Sequence, residues 1–339
     1  MTASKSIALL TGAAFAAIAC GGAAFAHDPS GKGGMPPALA KRMIAGIKSL
    51  NELDSSDAAK GLYSRVLQWT PTYAKLRVCF MGGKPENNAK VAEIAKAWTA
   101  GKAMGLKLDF GKTGKLRACD PTARESQIRV SYDKPGYYSM IGQASVVYSS
   151  QEESTLNLQD LGEADLAAFD KPAVRGTILH EFGHALGMLH EHQSPLSNCG
   201  NEFNWDFIKK YLSGPPNNWD EETINFNLAT YATDDLQLMA TDFDATSIML
   251  YDFPADYYLN GDKSSCFIAG ANDDLSATDL STIEYMYPAD ASERIKNFEQ
   301  SKAQFTAIWD KAAASGSRDV GLNFPEAFMG SKGVAADEE

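Results

Sequence analysis

Residues 180 to 192 read His180-Glu181-Phe182-Gly183-His184-Ala185-Leu186-Gly187-Met188-Leu189-His190-Glu191-His192, and no other stretch constrains the chain as tightly. Two histidines four apart on a helix project from one face, one turn apart, so His180 and His184 can reach the same metal ion. Glu181 directly follows the first of them. There its carboxylate points at the open side of the metal, where it can take a proton from water instead of ligating. Gly187 suits a backbone of positive φ, which ends a helix sharply and turns the chain back to deliver His190 as a third ligand. Three protein ligands with one open position describe a catalytic zinc, whereas a structural zinc is closed by four. The chain has five histidines and four of them fall in this stretch, which argues against a surface helix with scattered histidines. His192 reads as a solvated side chain in the following turn rather than a ligand.

A second element lies downstream, Ser247-Ile248-Met249-Leu250-Tyr251. Beneath three imidazoles, the polarisable thioether of Met249 would fill an irregular apolar floor without competing for the metal. Tyr251 can bring its phenol toward the metal, as a weak further ligand or as a donor to the oxyanion of a tetrahedral intermediate.

With Glu191 immediately after the third histidine, and Ser-x-Met-x-Tyr at 247–251, the chain resembles the astacin family of zinc metallopeptidases within the metzincins. Serralysins share the tyrosine but usually end in glycine-rich calcium-binding repeats, and this sequence has none. The similarity runs from about Leu76 to Pro288 and includes Ile141-Gly142, Thr155-Leu156-Asn157-Leu158, Phe243-Asp244 and Leu275-Ser276-Ala277-Thr278-Asp279. It implies a zincin-like α+β fold: a twisted mixed sheet with helices above, a mostly irregular or helical lower subdomain, and an active-site cleft between them. It also implies one Zn2+ on His180, His184 and His190, Glu181 as general base and acid, and Tyr251 assisting the transition state. In mature members the residue matching Glu191 receives the new N-terminal ammonium. The expected function is zinc-dependent endopeptidase action on polypeptides bound in extended form. The alternative is a zinc-dependent peptide-binding module that has lost turnover.

Lys5, the apolar run from Ile7 to Ala19 and the small-x-small site Ala24-Phe25-Ala26 mark residues 1–26 as a secretory signal peptide, too short for a membrane anchor. Lipidation at Cys20 is the weaker alternative, because Ala17 stands where a lipobox prefers leucine. Export, periplasmic or extracellular, leaves Cys79, Cys119, Cys199 and Cys266, and four cysteines in an oxidising compartment allow three pairings. Cys79 with Cys119, both ahead of the histidine helix, and Cys199 with Cys266, bracketing the methionine turn, are favoured. The formal net charge of −12 argues against nucleic acid as a partner, and no later stretch suits stable membrane insertion.

Periodicity places helices at Pro36–Leu53, Asn88–Met104, Pro172–Gly187, Trp205–Leu212 and Ala277–Tyr285. Strands are expected at Leu76–Met81, Leu106–Phe110, Ile128–Tyr132, 143–149 and 154–158, with Gln143–Tyr148 as the sheet edge along which a substrate pairs. The expected divisions are a leader (1–26), an N-terminal extension or prosegment (27–70), the catalytic domain (71–290) and a polar helical tail (291–339). No cysteine lies between the leader and Cys79, so a thiol cannot restrain the zinc; Asp54 and Asp57 are the nearest carboxylates for that task.

Overall fold

The computed structural model describes residues 63–64, 67–296 and 299, apart from 102–103, 113, 123–124, 216, 232–237 and 240–241. The leader, the helix expected at Pro36–Leu53, Asp54, Asp57 and nearly all of the tail lie outside the described residues.

The strands are β1 (Tyr63–Ser64), β2 (Lys75–Phe80), β3 (Lys107–Asp109), β4 (Gly111–Lys112), β5 (Lys115–Leu116), β6 (Ile128–Ser131), β7 (Tyr137–Ser139), β8 (Leu156–Leu158) and β9 (Leu238–Met239). Helices are α1 (Pro85–Ala95), α2 (Ala144–Val147), α3 (Pro172–Ala185), α4 (Cys199–Glu202), α5 (Trp205–Ser213), α6 (Glu221–Leu228) and α7 (Ala277–Met286). Five strands form one sheet in the order β3-β2-β6-β8-β7. It is parallel except for β7, which runs antiparallel to β8 with Tyr138 opposite Asn157. Inner strands β6 and β8 are buried throughout, as strands of a covered parallel sheet must be. α1 and α3 pack on one another, and the upper core gathers Trp69, Val78, Val91, Trp98, Val130, Leu156 and Phe182. A second core below holds Phe203, Ile208, Leu212, Ile224, Tyr251, Phe253 and Tyr257. The mixed sheet with helices above and an irregular, helical lower part is the α+β metzincin architecture that the resemblance implied.

Both favoured disulfides form: Cys79–Cys119 with Cα atoms 4.9 Å apart in the upper part, and Cys199–Cys266 with 5.6 Å in the lower.

Residues 143–149 are not a strand. α2 occupies their centre, and the antiparallel edge is β7. The cause is a set of contacts that periodicity does not carry. Gly142 sits at φ +49, its N–H donates to the His184 carbonyl at 2.8 Å, and a side chain there would collide with the Leu67 carbonyl. The fully buried guanidinium of Arg129 donates to the Ser145 carbonyl and Ser149 Oγ of this segment, and to the carbonyls of Ser126 and Glu153, which ties the helical turn to β6.

α1 also begins earlier than expected, with Pro85 in its first turn, and tightens to a 3-10 turn at Lys96–Thr99. Met104 instead bridges Pro288 in antiparallel fashion. α6, capped by Asp220 onto the Thr223 N–H, was not anticipated. At the other end, Leu67, Trp69 and Thr70 are buried in the catalytic unit, so the extension expected to run to residue 70 overlaps the fold. Trp69 Nε1 donates to the Ala185 carbonyl at 2.9 Å, and Tyr287 Oη to that of Leu186 at 2.5 Å. These two groups satisfy carbonyls at the end of α3 that no helical N–H reaches, and the Gly142 N–H adds a second bond to the His184 carbonyl, which also accepts the Gly187 N–H.

Candidate active site

α3 is built for close approach. It tolerates Gly176 and Gly183, each costing about 0.5–1 kcal/mol against alanine in a helix, because no side chain fits at either place. A β-carbon on Gly176 would stand 2.6 Å from the Asn272 carbonyl; on Gly183 it would collide with Met249 Sδ and sit 2.9 Å from Trp98 Cζ2. Met249, fully buried, thus lies directly against the helix between the two histidine turns, as the sequence predicted for the floor of the site. Gly183→Ala should therefore lose about 1–3 kcal/mol by overpacking, outweighing the gain in helix propensity. Denaturant unfolding of the zinc-loaded proteins would measure it, and a stabilised variant would contradict the contact.

α3 ends at Ala185, and Gly187 adopts φ +107 to reverse the chain toward His190. The three Nε2 atoms converge, 3.1 Å from His180 to His184 and 3.0 Å from His184 to His190. A tetrahedral face with Zn–N of about 2.0–2.1 Å has edges of roughly 3.3 Å. Each Nδ1 faces an oxygen: the Ile248 carbonyl at 2.8 Å, the Met188 carbonyl at 2.8 Å and Gln193 Oε1 at 3.1 Å. A neutral imidazole that donates from Nδ1 carries its lone pair on Nε2, so three lone pairs meet at one point. They repel one another unless a cation sits among them, and the donor set therefore fits zinc.

Glu181 lies fully buried beside this point, and neither carboxylate oxygen has a hydrogen-bond partner among the described residues. Burial pushes its carboxyl well above the usual carboxylate range, a shift that a nearby divalent cation opposes. The Tyr251 ring packs 4.4 Å from His190 and 5.4 Å from His180, centroid to centroid. Burial, then the charge of Glu181, holds its phenol well above the ordinary value, so the hydroxyl stays a donor.

Two positioning residues escaped the sequence. Gln193 holds His190, and its own amide is oriented by donation to the carbonyls of Phe226 at 2.8 Å and Ala229 at 3.2 Å. Asp279, at the third position of a capping box on α7, takes Ser247 Oγ at 2.7 Å and the Ile248 N–H at 2.8 Å, which ties the methionine turn to that helix. Its role had two signals, the place of Asp279 in the family-like stretch 275–279 and the Ser276-x-x-Asp279 spacing. Glu191 accepts the Asp244 N–H at 3.0 Å; burial pushes its carboxyl up to about 7, assisted by the charges of Asp279 and Asp244. His192 is not solvated as expected: it is fully buried, with Nε2 3.0 Å from the Asn227 carbonyl, and burial lowers its pKa to about 3.

Recesses open on both sides of the triad. One is lined by Ser139 of β7 with His184, His190, Gln193 and Tyr231; the other by His180, Tyr251 and the first half of α3.

The model of the astacin peptidase family matches residues 119–288, half of the chain. The chain belongs to the astacin family. A structure of myroilysin is similar at 31% identity and TM-score 0.55, covering 67% of this chain and 98% of that one. A crystal structure of myroilysin (25% identity, 76% and 98% covered, TM-score 0.45) and High choriolytic enzyme 1, a hatching enzyme zinc-protease from the medaka fish Oryzias latipes (16%, 68% and 96%, 0.40), also match. No curated protein sequence matches significantly. As an astacin the protein is a zinc metalloendopeptidase, and its substrates are polypeptides.

Proposed function

We infer that this astacin acts after export, cleaving extended polypeptides at the centre formed by His180, His184, His190, Glu181 and Tyr251. One observation carries the reading: three imidazole nitrogens converging within 4.8 Å of one another, beside a buried carboxylate without a hydrogen-bond partner among the described residues. His180, His184 and His190 hold the ion. Zinc supplies Lewis acidity there, polarising a scissile carbonyl and making water a stronger acid. Glu181 accepts the proton of the attacking water and passes it to the leaving amine, so no covalent intermediate is needed. The Tyr251 hydroxyl donates to the oxyanion as it develops. β7, antiparallel at the sheet edge with Ser139 beside the histidines, supports main-chain pairing with an extended substrate, a mode tolerant of side-chain identity.

Export is supported by the leader at 1–26 and by two disulfides. No helix among the described residues is long and apolar enough to cross a membrane. A removable restraint between His27 and Leu67 is the second part of the reading. Its downstream limit comes from the buried Leu67 and Trp69, which a cut at residue 70 would strip from the core.

The purified active form should hold one zinc per chain, hydrolyse a denatured protein, and begin between His27 and Leu67. Metal analysis, a cleavage assay and N-terminal mass spectrometry check the three. Metal-loaded protein without hydrolysis would refute the catalytic assignment, and full activity with the chain still beginning at His27 would refute the restraint.

A further inference from the structure

The recess on the His180 side contains a carboxylate that the zinc chemistry does not use. Its lining includes Ala173, Gly176 and His180 of α3 together with Tyr251, Asp252 and Asn272. It is a shallow depression, whose space reaches about 310 Å³ only when the open solvent over its mouth is counted. Since His180 and Tyr251 belong both to this recess and to the reaction centre, a side chain entering it comes from a residue next to the scissile bond.

The other polar groups of the lining are committed. Asn272 Nδ2 donates to the carbonyls of Ala245 at 3.0 Å and Ser247 at 2.8 Å, Thr177 Oγ1 to that of Ala173 at 2.9 Å, and His180 Nδ1 faces the Ile248 carbonyl. Arg175, on the same stretch of helix, is held by Asp274 at 2.7 Å. Asp252 is half-buried and takes backbone hydrogen bonds from its own N–H and from that of Ala271, but among the described residues no basic side chain pairs with it. The recess is open to solvent and carries this acid in its lining, so the end of a cationic side chain can approach the carboxylate from the mouth.

We propose that Asp252 makes this recess selective for a lysine or arginine of the substrate at a position flanking the scissile bond. The inference rests on the protease reading and narrows it. A half-buried carboxylate interacts more strongly with an ammonium or guanidinium than an exposed one, and the hydrogen bonds formed are charge-assisted. A neutral side chain offers the acid no counter-charge, and a glutamate is repelled.

The experiment uses processed, zinc-loaded enzyme and peptides that differ only at the two residues flanking the cut: lysine, arginine, norleucine or glutamate. The wild type should favour lysine or arginine over norleucine at one of them by roughly 10- to 100-fold in kcat/KM, and Asp252→Asn should shrink that ratio to within about threefold. Asp252→Lys should turn the preference toward glutamate. The ratio is internal, so a variant that folds in poor yield still reports it. The same ratio, read as Kd on the Glu181→Gln protein, tests the recess without turnover. Cleavage that treats lysine and norleucine alike, or a preference that survives Asp252→Asn, overturns the role of Asp252 while the protease reading stands. Discriminating binding without any cleavage by wild type would refute that reading and uphold this one.

Discussion

Glu181→Gln should retain zinc and the fold yet cleave a denatured protein about 10²- to 10⁴-fold more slowly than the wild type, the range expected when a positioned general base is lost. The substitution is nearly isosteric, and the carboxylate has no hydrogen-bond partner among the described residues whose loss would disturb the protein. What disappears is the capacity to accept a proton beside three converging imidazoles. Metal analysis together with kinetics on the processed protein separates this from loss of the ion. A zinc-loaded glutamine variant that turns over at the wild-type rate would remove Glu181 from the mechanism.

Tyr251→Phe should lower turnover by about 10- to 1,000-fold, the scale for losing one oxyanion donor. Zinc affinity should change little. The phenylalanine ring keeps its packing 4.4 Å from His190 and its place in the lower core, so only the hydroxyl is removed. An effect confined to kcat and kcat/KM, with KM nearly constant, is what a group acting in the transition state produces. A variant with wild-type turnover would leave the phenol a packing group and nothing more.

How far the sequence carried these conclusions depended on the range of the interactions involved. The triad was legible because a four-residue spacing on a helix and one glycine at positive φ are local facts. Met249 was legible only in company, since a methionine between isoleucine and leucine is ordinary core until a ligand helix demands a floor for it. The cysteine pairing followed from which half of the chain each residue belonged to. By contrast, Gln143–Tyr148 looked like a strand because its composition suits one, whereas the turn at Gly142 and the bond from buried Arg129 to the Ser145 carbonyl hold it as a helical turn. The roles of Gln193 and Asp279 escaped for the same reason: their partners lie up to 36 and 32 residues away, beyond any local pattern. His192 was taken for a solvated residue although the fold covers it with Phe203 and Phe253.

The last carbonyls of α3 are finished by groups from far along the chain on either side: Trp69, 116 residues before Ala185, and Tyr287, 101 residues after Leu186. During synthesis the N-terminal portion of a chain emerges and begins to fold first. Here the complete set of metal ligands leaves the ribosome well ahead of the hydroxyl that completes the helix bearing two of them, and ahead of Asp279, which fixes the turn beneath. A growing chain thus carries all the chemistry before it has the architecture to use it. For a protease assembled among other nascent proteins, this order of manufacture delays a finished site until nearly the whole catalytic unit has been made.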